Sequence, residues 1–91
     1  MTIITTQTFD KLFLGLERRV QRRAAQKTEL FKSNPFNPTL KTEKLYPKKF
    51  HVWSFRIDQD HRIVFRFLNG DKVEFMFIGH HNQIYNYDIF R

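Results

Sequence analysis

The spacing of apolar residues changes once along the chain, from a helical period to strict alternation, and that change organises everything else. The opening Thr2–Thr5 (TIIT) is β-branched and predicts a short strand. Thr6 or Thr8 can cap a helix after it, with Asp10 in the first turn, where a negative charge suits the helix dipole. Phe9, Leu12, Phe13 and Leu16 follow at helical spacing and make an apolar stripe. Gly15 weakens that helix, so a break is expected around Gly15–Arg19. A second helix is predicted from about Arg19 to Lys32. Val20, Ala24, Lys27 or Thr28, and Phe31 lie along one of its sides, and Arg18, Arg19, Arg22, Arg23 and Lys27 along the other. Together the two read as a helical hairpin.

Pro35 and Pro38 in Ser33-Asn-Pro-Phe-Asn-Pro-Thr39 cannot continue the helix and push their predecessors towards extended geometry. A polar connection, Leu40–Lys49, leads into three strand-like runs at about His51–Ile57, His61–Leu68 and Lys72–His80. Asp58-Gln-Asp60 turns the first pair, and Asn69-Gly70-Asp71 carries a strong hairpin signal for the second. The order β-α-α-β-β-β predicts an α+β fold: an N-terminal helical hairpin packed on one face of a small antiparallel sheet, with the opening strand at an edge. The 91 residues leave room for one domain, 1–91.

Side chains alternate across a strand, so parity assigns faces. Trp53, Phe55 and Ile57, with Ile63, Phe65 and Phe67, form an apolar face for the helices. Ser54, Arg56, Arg62 and Arg66 fall on the other face, which is expected to meet solvent. Guanidinium forks match phosphate oxygens, so such a face could hold a phosphate backbone; it is also compatible with an ordinary solvated sheet surface.

Charge sets the partner class, and the chemistry next to this face decides between the two readings. Sixteen Lys and Arg against nine Asp and Glu give a formal net charge of +7, which attracts polyanions. Nucleic acid is the leading partner class, ahead of an acidic protein and, more distantly, an anionic membrane surface. There is no cysteine, which removes disulfides, thiolate metal sites and thiol nucleophiles. No run approaches the roughly 18 apolar residues of a membrane span, and MTIITTQTFDKL lacks a signal-peptide pattern, so a cytoplasmic protein is expected.

Glu43 precedes the first meander strand, and Gly79-His-His-Asn-Gln-Ile-Tyr85 closes the last. A carboxylate, an arginine and a histidine brought together suffice to cleave RNA, with no cofactor and no metal. The carboxylate takes the 2′-hydroxyl proton, arginine stabilises charge on the phosphorus oxygens, and histidine protonates the departing 5′-oxygen. Taken singly, each of these residues is equally an ordinary surface feature.

The run Trp53-Ser-Phe-Arg-Ile-Asp-Gln-Asp-His-Arg-Ile-Val-Phe65 resembles the centre of the RelE/ParE superfamily of bacterial toxin–antitoxin toxins. Its nearest likeness is to the YoeB branch, with a Trp-Ser, a basic residue before Ile, a short turn and His-Arg-Leu-Val-Tyr. The resemblance runs back through Lys41-Thr-Glu-Lys-Leu45 without a gap. It runs forward to Ile78-Gly-His-His-Asn-Gln-Ile-Tyr85, similar to a Gly-x-His-x-x-Val-Tyr ending, and takes in the Asn-Pro exit of the hairpin. It covers nearly the whole chain.

The resemblance implies an endoribonuclease acting on messenger RNA in or near the ribosome and silenced by a cognate acidic antitoxin. It places Glu43 as general base, Arg62 as the arginine that steadies the scissile phosphate, and Arg56 as a second basic residue on the same face. His81, rather than His80, takes the place of the general acid, and Tyr85 that of an aromatic that stacks on or orients a nucleotide. Lys41, Lys44, Lys48 and Lys49 are expected to line the RNA path. The chain departs from the YoeB branch by continuing past its His-Tyr pair with Asn-Tyr-Asp-Ile-Phe-Arg, so Tyr87 is an alternative to Tyr85. Two rival readings stay open: a gyrase-poisoning toxin of the ParE branch, indifferent to loss of Glu43 and His81, and a non-catalytic RNA- or antitoxin-binding relic.

Overall fold

The computed structural model describes residues 1–86; Tyr87 lies outside the described residues. Strand β1 (Thr2–Thr5) leads into helices α1 (Gln7–Leu14) and α2 (Arg18–Ser33), followed by β2 (Glu43–Lys44), β3 (Trp53–Arg56), β4 (His61–Leu68) and β5 (Lys72–His80). The sheet order is β1-β5-β4-β3-β2, with β1 parallel to β5 and the remaining pairs antiparallel. This is the α+β arrangement expected from the sequence, with the opening strand at an edge. The strand β2 falls within what reads as a polar connection: two residues suffice to pair Glu43 with Ser54 and Lys44 with Trp53.

Thr6, not Thr8, caps α1. Its Oγ1 accepts the Phe9 N–H at 3.0 Å and donates to the Met76 carbonyl at 3.0 Å. That carbonyl is available because β5 bulges. Val64 pairs with Phe77 and Phe65 with Phe75, so Met76 is the extra residue. Thr6 thus ends β1, starts α1 and ties both to the bulge. Thr6→Ala is expected to cost about 1–2 kcal/mol of stability, read by thermal or urea unfolding, with Thr6→Ser recovering most of it.

The main core lies between the helices and one sheet face. Phe31 of α2 stacks on Phe55 with ring centroids 4.7 Å apart and meets Phe65 and Phe75 edge-on at 4.8 and 5.6 Å. Phe9, Val20, Ala24, Ile57, Ile63 and Ile78 close around these rings. Phe67, expected beneath the helices, is 42% exposed. The helix α2 stops at Ser33 before reaching it, and Phe36 from the proline-rich exit packs on Phe67 and Trp53 instead.

The opposite face is not the open surface that parity suggests. A second cluster of Leu45, Val52, Val64, Phe77 and Ile84 covers part of it, with Phe50 alongside. The segment between β2 and β3 and the short 3-10 helix His81–Asn86 fold over this face. Ser54, expected in solvent, is therefore buried at 2% exposure. Among the described residues, the cationic side chains of this face stand at the margins of the second core, where the candidate site lies.

Candidate functional site

Cross-strand register builds the site. Glu43 faces Ser54 across β2 and β3, while Arg56 faces Arg62 across β3 and β4, one pair further along the same face. Arg62 in turn faces Gly79 on β5. A Cβ at Gly79 would lie 3.1 Å from the Phe77 ring, so glycine lets that ring lie flat against the strand beside Arg62.

The β3–β4 turn aims Arg62. Its Nη1 donates to the carbonyls of Asp58 at 3.0 Å, Gln59 at 3.2 Å and His61 at 3.0 Å. One edge of the guanidinium is occupied in this way and its direction is set. Burial, and then the adjacent charge of Arg56, pull the Arg62 pKa below its ordinary value, while Glu43, Asp58 and Asp60 pull it back up. Arginine stays protonated at neutral pH. Two guanidinium groups thus sit side by side with Glu43 in electrostatic reach, an arrangement that an anion between them would relieve.

The turn depends on Asp58, which sequence reasoning treats only as a turn residue. Its Oδ1 accepts the backbone N–H groups of Asp60 at 2.9 Å and His61 at 2.8 Å, and meets His61 Nδ1 at 3.0 Å. Its Oδ2 accepts from Arg23 of α2 at 3.3 Å. The signal was legible: an Asp two and three residues ahead of the backbone groups it binds is an Asx-type turn. Burial pushes the Asp58 pKa up, but the hydrogen bonds from the His61 ring and the two backbone N–H groups, with the His61 charge, outweigh it and lower the pKa to about 2.

A depressed carboxylate pKa stabilises the fold above the unfolded-state value near 3.9, and the contribution fades as pH falls towards 2. Wild type is expected to lose roughly 2 kcal/mol more than Asp58→Asn between about pH 5 and pH 2. Urea unfolding across that range checks it; parallel curves for the two proteins would contradict it.

The histidines gather at the same end. His61 and His80 are paired across β4 and β5 with rings 6.1 Å apart, and His80 stacks on His81 at 4.5 Å with a 26° interplanar angle. The His81 N–H donates to the Asp60 carbonyl at 2.8 Å, which fastens the start of the last 3-10 helix to the turn that holds Arg62. His81 is exposed, and Tyr85 Oη accepts the Tyr46 N–H at 3.4 Å.

The structure therefore brings Glu43, Arg56, Arg62 and His81 to one end of one face. Lys41 joins Arg56 and Lys27 around a neighbouring hollow of about 220 Å³. Lys48 and Lys49 stand exposed on the segment that covers the second core. Lys44 is not brought there: paired with Trp53 rather than Ser54, it points to the other face, with Nζ 5.8 Å from the Trp53 ring centroid. Arg66, on the same face by parity, is bound to Glu74 at 2.8 Å.

A basic α+β domain with paired arginines, a carboxylate and histidines at one end of its sheet has the make-up of a protein that engages a polyanion. The chain belongs to the YoeB-like toxins of bacterial type II toxin–antitoxin systems, whose family model matches residues 5–82. The fold is shared with the YoeB/ParE toxin from Agrobacterium tumefaciens, at 24% identity over 89% of this chain and 99% of that one, with a TM-score of 0.74. It is shared with the toxin of the RelB-RelE antitoxin-toxin complex from Methanococcus jannaschii, at 23% identity over 93% and 98%, TM-score 0.72. A metal-bound toxin from Helicobacter pylori has it too, at 18% identity over 92% and 98%, TM-score 0.67. No curated protein sequence matches. No helix among the described residues is long and apolar enough to cross a membrane.

Proposed function

We propose that this toxin is an endoribonuclease that cuts messenger RNA, in association with the ribosome, by attack of a 2′-hydroxyl on the adjacent phosphate. Glu43 takes the proton from O2′, which then bonds to phosphorus. Arg62, with Arg56 beside it, stabilises the charge that builds on the non-bridging oxygens. The bond to O5′ breaks as His81 delivers a proton to it, leaving a 2′,3′-cyclic phosphate and a 5′-hydroxyl end. Tyr85, exposed on the short helix that begins at His81, would stack on a splayed base. Lys41 extends the phosphate path past Arg56.

The observation that carries this reading is the fixing of Arg62. Three carbonyl acceptors hold it beside Arg56, on the turn to which His81 is also tied. An arginine prealigned in this way need not reorganise as charge develops on a substrate. A cognate acidic antitoxin would silence the site by covering this cationic margin; the relative from Methanococcus jannaschii is itself seen in an antitoxin-toxin complex. The toxin acts where messenger RNA is translated, in the cytoplasm.

The test is cleavage of a defined messenger RNA with and without ribosomes, comparing an all-ribose strand with one carrying a single 2′-deoxy nucleotide at the cut site. The deoxy substitution is expected to abolish cutting at that bond and leave other sites intact. Continued cutting there would rule out 2′-hydroxyl attack.

A further inference from the structure

Beside the proposed general acid stand two side chains that the cleavage scheme does not use. Asp60, His80 and His81 each present a ligand atom, and the three atoms lie within 4.8 Å of one another. Their backbones are already positioned: His80 is the last β5 residue paired with β4, and the His81 N–H is bonded to the Asp60 carbonyl at 2.8 Å. Asp60 itself sits on the turn clamped by the Asp58 carboxylate. Asp60 and His81 are exposed and His80 is half-buried, so modest side-chain rotations can bring all three to the roughly 2.0–2.2 Å that imidazole nitrogen and carboxylate oxygen adopt around a transition ion.

We infer that Asp60, His80 and His81 form a binding site for a borderline divalent transition ion, and that occupancy switches the toxin off. Two imidazoles and one carboxylate suit Zn2+ and Cu2+, with Cu2+ the tighter, and do not suit Mg2+ or Ca2+, which take oxygen donors. Three protein ligands leave a coordination position for water. The cost is small: His80 Nδ1 accepts the Asn82 N–H at 3.2 Å, and ligation through either ring nitrogen gives up that long bond at a surface where water replaces it. Arg62 nearby opposes a dication, and the Asp60 carboxylate offsets it. Once His81 ligates the ion, it has no proton to give to a departing 5′-oxygen. The inhibitory half of this inference rests on the nuclease reading; the binding half does not.

Two readouts separate them. Zn2+ titrated into the protein, followed by calorimetry and by the imidazole NMR signals, is expected to bind one ion per chain and to move the His80 and His81 signals while His51 stays put. Asp60→Asn and His80→Gln are each expected to weaken Zn2+ binding at least tenfold, and Mg2+ to give no response. Binding of wild-type strength in both variants, or a response centred on His51, would overturn the site. For the switch, Zn2+ is expected to stop RNA cleavage reversibly by a chelator, while Asp60→Asn retains most of its own metal-free rate at the same Zn2+ concentration. Cleavage that persists with the site filled would overturn the switch. A protein that cuts nothing even without metal would sink the nuclease reading, with the switch resting on it, and leave the binding result standing.

Discussion

Arg62→Ala is expected to lower the single-turnover rate of RNA cleavage by about 10²–10³-fold while the protein stays folded, the usual loss when one prealigned donor to a developing negative charge is removed. Among the described residues, neither of the other arginines on this face is held by the turn as Arg62 is. Arg56, its cross-strand partner, is exposed, and Arg66 is engaged by Glu74. The fold should tolerate the change, because Arg62 is only half-buried and the three carbonyls it releases lie at a surface turn that Asp58 holds independently. Arg62→Lys tests the geometry apart from the charge. Arg62 meets the three carbonyls through Nη1 alone, which leaves the rest of its planar group to face a phosphate; an ammonium is one nitrogen and cannot do both, so most of the loss should remain. A rate within threefold of wild type for Arg62→Ala would remove the residue from the mechanism. Loss of RNA binding with no change in the rate of the bound complex would make it a binding residue only.

The largest effect on stability is expected at Phe31, where truncation to Ala should cost about 3–5 kcal/mol. Its ring is fully buried and touches Phe55, Phe65 and Phe75, one each from β3, β4 and β5. The ring stands at the centre of the contact between α2 and the sheet, with Val20 and Ala24 of the same helix buried in the same core. A domain this size has about 5–14 kcal/mol of total stability, and a shift of 4–8 °C per kcal/mol would lower the melting temperature by about 12 °C or more. Phe31→Leu keeps much of the volume and should lose roughly a third to a half as much. A negligible loss for Phe31→Leu would mean that the ring contacts add nothing beyond filling space, and equal losses for the two variants would mean that those contacts carry the whole effect.

Some of this was legible in the residues. Thr6 and Asp10 marked the first helix, Pro35 the end of the second, and Asn69-Gly70 the last hairpin, because caps, prolines and tight turns act through local backbone chemistry. The limits of β4 and β5 follow from alternation between these markers. Parity went wrong on the second face. It predicted solvent over Ser54, although Phe75-Met-Phe-Ile78 is a continuous apolar run of the kind found in strands covered on both sides. The bulge at Met76 is what lets that run serve both cores, with Phe75 and Ile78 on one side and Phe77 on the other.

The sequence by itself determined the order of elements, the positive charge and, through motifs spread from Glu43 to Tyr85, the residue types of the proposed site. These depend on local backbone preference and on composition, which a chain carries before it folds. Only the tertiary structure decided which cations reach one another. Register sets Arg56 against Arg62 and turns Lys44 to the other face, while the Asp58 turn aims Arg62 and gathers His80 and His81 around Asp60. Such groupings join side chains far apart in the chain, and their geometry exists only once the strands have paired.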